Sequence, residues 1–545
     1  MIKQNQYNIL SSTLILSLGV LISRIIGFAY RIPIQRILGD EGNGLYGEAY
    51  QVYTVILTIT AIAMPGALSK IIAQHEAVGG QAQSYKIFKL VLKYFVILAL
   101  ILGTLVFVFA DRISDIAFPG DDIGNAIRIF APSVIIATII ASFRGFFQGL
   151  GNMKPTASSQ ILEQIINVVV SVFLAYHFAK VSISFGVIGS CIGTVVGAVV
   201  ALITLMICFR KIHRERKQLI LEKNVLIDEK KMIKQLMNIL LPVIISTAVF
   251  SIVTLIDFSM ISRFLPQSIT QLKEAGSLYL VPIQNVASLD VNTIVLKLKG
   301  QYSFQYNAFI NIPISVILQL SLATIPSISA DMATNNTEGI QQKIYEVMKI
   351  GLLFATPASI AFLLYGEGII QLILGIGVEG GKLLALGGVS LIVITIAQLS
   401  SGILQGMGQA KISSINAIIA CGIKIIFNIL LISIAELNIY SVVISTFICY
   451  FVYAILNMGY LYKMFMLRMD WKTLVLKPLG CSVIMGMTSY LIFVGLQSSG
   501  MNIRVSMLII IPSCIVMYYI LAQKTNIMLP EIEKFVSDIY KGKGC

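Results

Sequence analysis

Two arginines, Arg24 and Arg31, stand seven residues apart in a long apolar run and so share one face of a helix. Arg24 lies about 22 Å along a helix beginning at Ile9, too deep to reach a headgroup region easily. An arginine at that depth costs at least about 2.5 kcal/mol unless it meets water, an acid or an anion. Its planar fork of donors suits phosphate oxygens, so the chemistry implied is non-covalent capture of a phosphate-bearing substrate. Lys70 and Arg144 add cations near the ends of later apolar runs, and Asp257 sits within another. For Arg31, Lys70 and Arg144 the competing reading is snorkelling to the interface; for Asp257, a structural ion pair competes with a coupling-cation ligand.

A second polar group lies on one helical face: Gln160, Glu163, Asn167 and Ser171. Its counterpart comes from an internal repeat. RGFFQGLGNMKP from Arg144 aligns with SGILQGMGQAKI from Ser401 at an offset of 257 residues, matching Gly, Gln and Lys positions. Pro65 faces Pro326 at a similar offset. Carried over by 257, the polar face becomes Ala417, Ala420, Lys424 and Asn428. Both faces are expected to line a shared cavity, with Glu163 and Lys424 as acid and base one turn apart. The competing reading is that each simply pairs with a neighbouring helix.

The elements that must hold these residues are membrane helices. Of 545 residues, 57% are hydrophobic and only 12% charged, and mean hydropathy is +0.87. Soluble domains carry about 25% charged residues, so a soluble fold cannot bury this chain. The apolar runs are about 20 residues or longer, the length that crosses about 30 Å of hydrocarbon as a helix, whereas barrel strands would alternate over about ten. The expectation is an all-α polytopic membrane protein of about 14 transmembrane helices: two parallel six-helix repeats plus two C-terminal helices. The first lobe spans 1–209, a basic cytoplasmic connector 210–237, the second lobe 238–462, two additional helices 463–522 and a cytoplasmic tail 523–545.

Charge orients the bundle. Connections on one side carry 22 lysines and arginines, nine of them between Arg210 and Lys234. The other side carries six, Lys297 and Lys299 included, beside the acidic stretch Asp111 to Asp122. Both termini are therefore expected in the cytoplasm of a cell-membrane protein. This also bears on 277–296, almost long enough to span but interrupted by Pro282 and Asp290, which is expected to be external or re-entrant. The net charge of +14 is spread over cytoplasmic loops facing anionic lipid, which argues against nucleic acid as a partner. No phosphate loop and no metal spacing occurs, so no cofactor or metal is expected, and Na+ or H+ is left as the coupling ion. The seven cysteines lie mostly within spans, without redox spacing.

The segment SRIIGFAYRIPIQRILGDEGNGLYGEAYQVY, followed by IAMPGALSKIIAQ, resembles the MurJ/SpoVB/YtgP branch of the MOP exporter superfamily, the group of lipid II and polysaccharide flippases. The resemblance extends over nearly the whole chain and includes the QGLGN and QGMGQ elements. It implies two six-helix lobes around a central cationic cavity, moving an undecaprenyl-diphosphate-linked sugar outward by alternating access. Ser23, Arg24 and Gly27 match the family's SRxxG pattern, whose Arg is regarded as a diphosphate ligand. Asp257 and Asn416 are similar to positions tied to sodium in some members. Two departures stand out: Arg31 follows Gly27 by four residues rather than three, and QYNAFINIP offers Asn307 and Ala308 where the pattern has Asp-Arg. The functional expectation is a monomeric flippase for a lipid-linked diphosphate sugar, with lipid II foremost, serving peptidoglycan synthesis, and not an enzyme. Alternatives are a flippase for O-antigen or teichoic-type polysaccharide, a cation-coupled multidrug exporter, or an enzyme polymerising lipid-linked sugars. The deep Arg24 and Lys424 disfavour a cationic drug, and the acid-poor external connections disfavour polymer chemistry.

Overall fold

Apolar runs with no water to satisfy their backbone groups leave the chain one economical solution, the α-helix. The computed structural model describes residues 22–223, 228–375, 379–466 and 469–527, all helix, turn or loop, with no strand among them. After helical residues 22–29 come α1 (Arg31–Leu57), α2 (Met64–Ala77), α3 (Gln81–Val108), α4 (Ala110–Ala117), α5 (Gly124–Gly149), α6 (Lys154–Phe178), α7 (Ile183–Lys223) and α8 (Glu229–Glu274). Then follow α9 (Val291–Gly300), α10 (Asn307–Ala333), α11 (Thr337–Leu374), α12 (Gly381–Gly406), α13 (Ala410–Ile432), α14 (Tyr440–Phe465), α15 (Lys477–Ser498) and α16 (Ile503–Lys524). Twelve segments among the described residues are long and apolar enough to cross a membrane. Residues 9–21 of the first expected span, 224–227 of the connector and 528–545 of the tail lie outside the described residues, as do Lys3, Arg468, Lys534, Lys541 and Lys543 of the charge pattern. The helix α10 (Asn307–Ala333) is entered through a π turn at Gln301–Tyr306.

Two local features follow directly from residue type. Gly39 takes φ +63°, ψ −171°, which breaks α1 in two. The stretch 277–296 forms no continuous helix: short 3-10 turns at Leu278–Leu280 and Val286–Ser288 precede α9. Asp290 caps α9 by accepting from the Thr293 N–H at 3.1 Å. The hydroxyl and the amide of Thr293 hold its carboxyl below the usual carboxylate range.

The chain forms two compact units, residues 1–270 with 288–300, and 271–287 with 301–545. In the first unit an aromatic core of Tyr85, Phe88, Phe143, Phe146 and Phe209 joins α3, α5 and α7, and Leu236 and Leu240 bring α8 onto it. That packing places α8 up to Thr270 with the first unit, whereas the sequence repeat led to the expectation that it opens a second lobe at 238. In the second unit the C-terminal pair docks on α11: Tyr365 and Ser489 share a buried hydrogen bond of 2.7 Å, and Gly368 is seated against Met507.

The repeat is visible in backbone geometry. Gly151 (φ +72°) and Gly408 (φ +76°), 257 residues apart, each end a helix in the left-handed region. The Gly151 N–H donates to Gln148 O (2.9 Å) and Asn152 N–H to Phe147 O (3.0 Å); the Gly408 N–H donates to Gln405 O (3.0 Å) and Gln409 N–H to Leu404 O (2.8 Å). These are the same two bonds of a Schellman turn at the same offset. The preceding glycine pairs also match in use. Gly145 and Gly149 press α5 onto α2 at Pro65 and Ile72, and Gly402 and Gly406 press α12 onto α10 at Ser321 and Ile325.

Candidate functional site

In the first unit the expected residues are placed by close helix contacts. Gly27 brings the helical residues 22–29 against α6, since a Cβ there would lie 2.8 Å from Gln164 Oε1. Ser23 is buried, and Arg24 projects an exposed side chain. The Tyr30 hydroxyl then bonds Ser190 Oγ on α7 at 2.8 Å, fixing the approach to Arg31. Arg31 is half-buried and close enough to Tyr30, Tyr46 and Tyr50 for electrostatic interaction.

Tyr46, Tyr50 and Tyr53 recur along α1 at helical spacing with Phe130 of α5. Tyr46 stacks on Tyr50 (centroids 5.7 Å, 15°), and Tyr53 stacks on Phe130 (4.8 Å, 9°). Tyr46 and Tyr53 are buried, but Tyr50 is 41% exposed. Tyr50 and Tyr53 also lie within electrostatic reach of Glu163. Glu163 Oε2 accepts from the Arg144 guanidinium at 2.7 Å, and Arg144 Nε donates to Ser159 Oγ at 3.1 Å. Arg144 and Glu163 thus form one ion pair between α5 and α6, with side chains 15% and 26% exposed.

The rest of the polar face has a different use. Ser171 Oγ shares its one proton between Asn167 Oδ1 (2.7 Å) and Ser190 O (2.9 Å), and Thr194 Oγ1 donates to Asn167 Oδ1 at 3.4 Å. These bonds dock α6 on α7, where Gly193 and Gly197 let the backbones approach. A Cβ on Gly193 would lie 2.4 Å from Ser171 N, a backbone atom that cannot turn away. Gly193→Val is therefore expected to lower the stability of the purified protein by at least about 1–3 kcal/mol. Gly422→Val, where nothing lies within 4 Å, is the control. Equal melting temperatures for the two variants would refute this account of the contact.

In the second unit Ala417, Ala420, Lys424 and Asn428 are all buried on α13. Ser445 Oγ of α14 donates to Asn428 Oδ1, so Asn428 docks α13 on the following helix as Ser171 docks α6. Asn416 Nδ2 donates to Asn457 Oδ1 at 2.9 Å. Asp257 is buried on α8 in the first unit and Asn416 belongs to the second. Lys70 is exposed on α2. Among the described residues no group of three or more His, Cys, Asp or Glu could hold a metal.

Sequence reading missed two groups. The tyrosines at 46, 50 and 53 were legible as a helical stripe in YGEAYQVY, but an aromatic stripe does not by itself distinguish a core from a site. Lys299, counted only as an outer-side charge, is 1% exposed and bonded to Glu48 at 2.8 Å and to Asp121. No local pattern announces that cluster.

Residues 9–332 match the family described as polysaccharide biosynthesis protein. Lipid II flippase MurJ of Bacillus subtilis (strain 168) is 24% identical over 489 residues, 84% of this chain and 85% of its own. Stage V sporulation protein B of the same organism is 24% identical over 372 residues, 67% of each. Among solved structures, lipid II flippase MurJ in its inward closed conformation aligns at TM-score 0.65 and 17% identity over 94% of this chain and 98% of that one. An inward-facing multidrug resistance MATE family transporter of the MOP superfamily aligns at TM-score 0.61 and 16% identity over 84% and 98%. The chain belongs to the polysaccharide biosynthesis protein family, as a multi-pass helical membrane protein.

Proposed function

We propose that this protein is a flippase that carries an undecaprenyl-diphosphate-linked cell-wall precursor, lipid II foremost, from the cytoplasmic to the outer leaflet by alternating access, for peptidoglycan synthesis. The observation that carries this reading is the grouping in the first unit of Arg31 with Tyr50 and Glu163, beside the helix that presents Arg24. Guanidinium groups suit a diphosphate, and an exposed tyrosine ring suits the apolar face of a sugar. The kinship with a lipid II flippase supports the same cargo. The protein works as a monomer in the cell membrane with both termini cytoplasmic, driven by an Na+ or H+ gradient or by the membrane potential.

Depleting the protein from its host is expected to raise the cytoplasmic-leaflet pool of one lipid-linked precursor, and mass spectrometry of extracted lipids identifies it. A disaccharide-pentapeptide on undecaprenyl diphosphate is the expected species. Accumulation of another undecaprenyl-linked glycan instead moves the assignment to the O-antigen or teichoic-type reading. An unchanged precursor pool with raised sensitivity to cationic drugs would support the multidrug exporter and overturn the proposal.

A further inference from the structure

The outer-side charges hold a buried cluster whose electrostatics do not close without one more positive charge. Lys299 Nζ lies 2.8 Å from Glu48 Oε1 and also bonds Asp121. Their side chains are 1%, 0% and 9% exposed. Ser262 Oγ of α8 donates to the same Glu48 Oε1 at 2.9 Å. Among the described residues no hydrogen-bond partner meets the buried Glu48 Oε2. One ammonium therefore faces two carboxylates, and the excess negative charge falls on an oxygen with no donor. An ionised carboxylate left in that state is far costlier than a neutral hydroxyl, which loses at most one hydrogen bond.

The other charged groups of the surrounding elements are paired elsewhere or exposed, Arg36, Arg112 and Asp115 among the exposed. Asp40 accepts from Gln35, Lys297 of α9 lies 3.8 Å from Glu41, and Arg128 pairs with Asp111. Arg263, next to Ser262, donates to Ile116 O at 2.7 Å, and Asp122, next to Asp121, is exposed. The cluster also joins distant pieces of chain: Glu48 from α1, Asp121 from the loop before α5, and Lys299 from α9. The α9 backbone is seated without spare room, since a Cβ on Gly300 would lie 1.9 Å from Asp40 O and one on Gly44 2.6 Å from Leu296 O. The chain leaves α9 at Gly300 and enters the second unit at Gln301.

We propose that Glu48 is a proton-binding site: one exchangeable proton on Oε2 neutralises the Glu48–Lys299–Asp121 cluster and thereby latches residues 288–300 to the first unit. Nothing in this inference depends on the identity of the cargo. Glu48 holds the proton in the latched state and gives it up in an opened, solvated one. The latch is thus tightest at low pH and is lost as pH rises through the proton-release point of the latched state.

The test uses the full chain in nanodiscs, compared between about pH 6 and about pH 9 by infrared difference spectroscopy and by hydrogen exchange of 288–300 corrected for intrinsic rate. The wild type is expected to show a protonated-carboxyl C=O band at low pH that disappears on deprotonation, and protection of 288–300 that falls by up to about tenfold per pH unit beyond that point. Glu48→Gln is expected to lack the band and to keep protection at every pH. Asp121→Asn leaves a neutral Glu48–Lys299 pair with no need of the proton, so it too should lose both the band and the pH dependence. It provides the second route should Glu48→Gln fail to fold. A band that persists in either variant, or wild-type protection that does not change with pH, overturns the proposal.

Discussion

Replacing Lys299 with methionine is expected to destabilise the full-length protein by about 3–5 kcal/mol at neutral pH, the scale measured when one partner of a buried ion pair is removed. Methionine conserves the length and apolar stem of lysine, so little packing is lost. What remains is Glu48 and Asp121, fully and nearly buried, facing each other without their cation. Both must then be protonated or solvated to keep α9 in place. Protonation at low pH supplies that relief, so the deficit should shrink as pH falls and widen as it rises. The variant Lys299→Met/Glu48→Gln/Asp121→Asn removes the charges together and is expected to recover most of the loss, because a neutral replacement of a buried ionic cluster is often close to neutral in stability. Thermal unfolding of the three proteins across pH measures all of this. A Lys299→Met protein as stable as wild type near pH 8 would show that the cluster contributes nothing to holding the fold.

Arg24→Ala is expected to do the reverse, leaving the protein intact and stopping its work. The Arg24 side chain is exposed, so truncation removes little packing. The loss should fall on substrate capture, where a charged hydrogen bond contributes about 1.5–3 kcal/mol, or about 10–150-fold in rate. Complementation of a flippase-depleted strain should therefore fail while membrane levels and melting temperature hold. Arg24→Lys keeps the charge without the planar fork and is expected to rescue partially. Full complementation by Arg24→Ala would remove this residue from the site. Failure of both variants to reach the membrane would make Arg24 structural.

The two variants mark which parts of the molecule can be read along the chain. Repeats of apolar length settle the helices because the bilayer imposes one thickness and water is absent to satisfy any other backbone arrangement. The duplication is legible for a similarly local reason. A Gly-x-x-x-Gly pair followed by a left-handed glycine is a close helix contact and its terminating turn, and both occur in each half. Pairing across helices has no such signature. Glu163 and Asn167 sit on one helical face and are indistinguishable by spacing, yet Glu163 meets Arg144 while Asn167 is used in docking α6 on α7. The partners were chosen by which helices pack together.

The amino-acid sequence by itself determined that this is a multi-pass helical membrane protein carrying a family resemblance in SRIIG, and it made a duplicated core and deep cations suited to a phosphate the expectation. Those properties rest on composition, period and the conformational demands of glycine, all of which act over a few residues. Only the tertiary structure decided that Lys299 is buried between Glu48 and Asp121, the latter 178 residues away along the chain, and that Arg31, Tyr50 and Glu163 come within electrostatic reach. The energy of such pairs depends on distance and on exclusion of water, and both are set when helices dock rather than when they form.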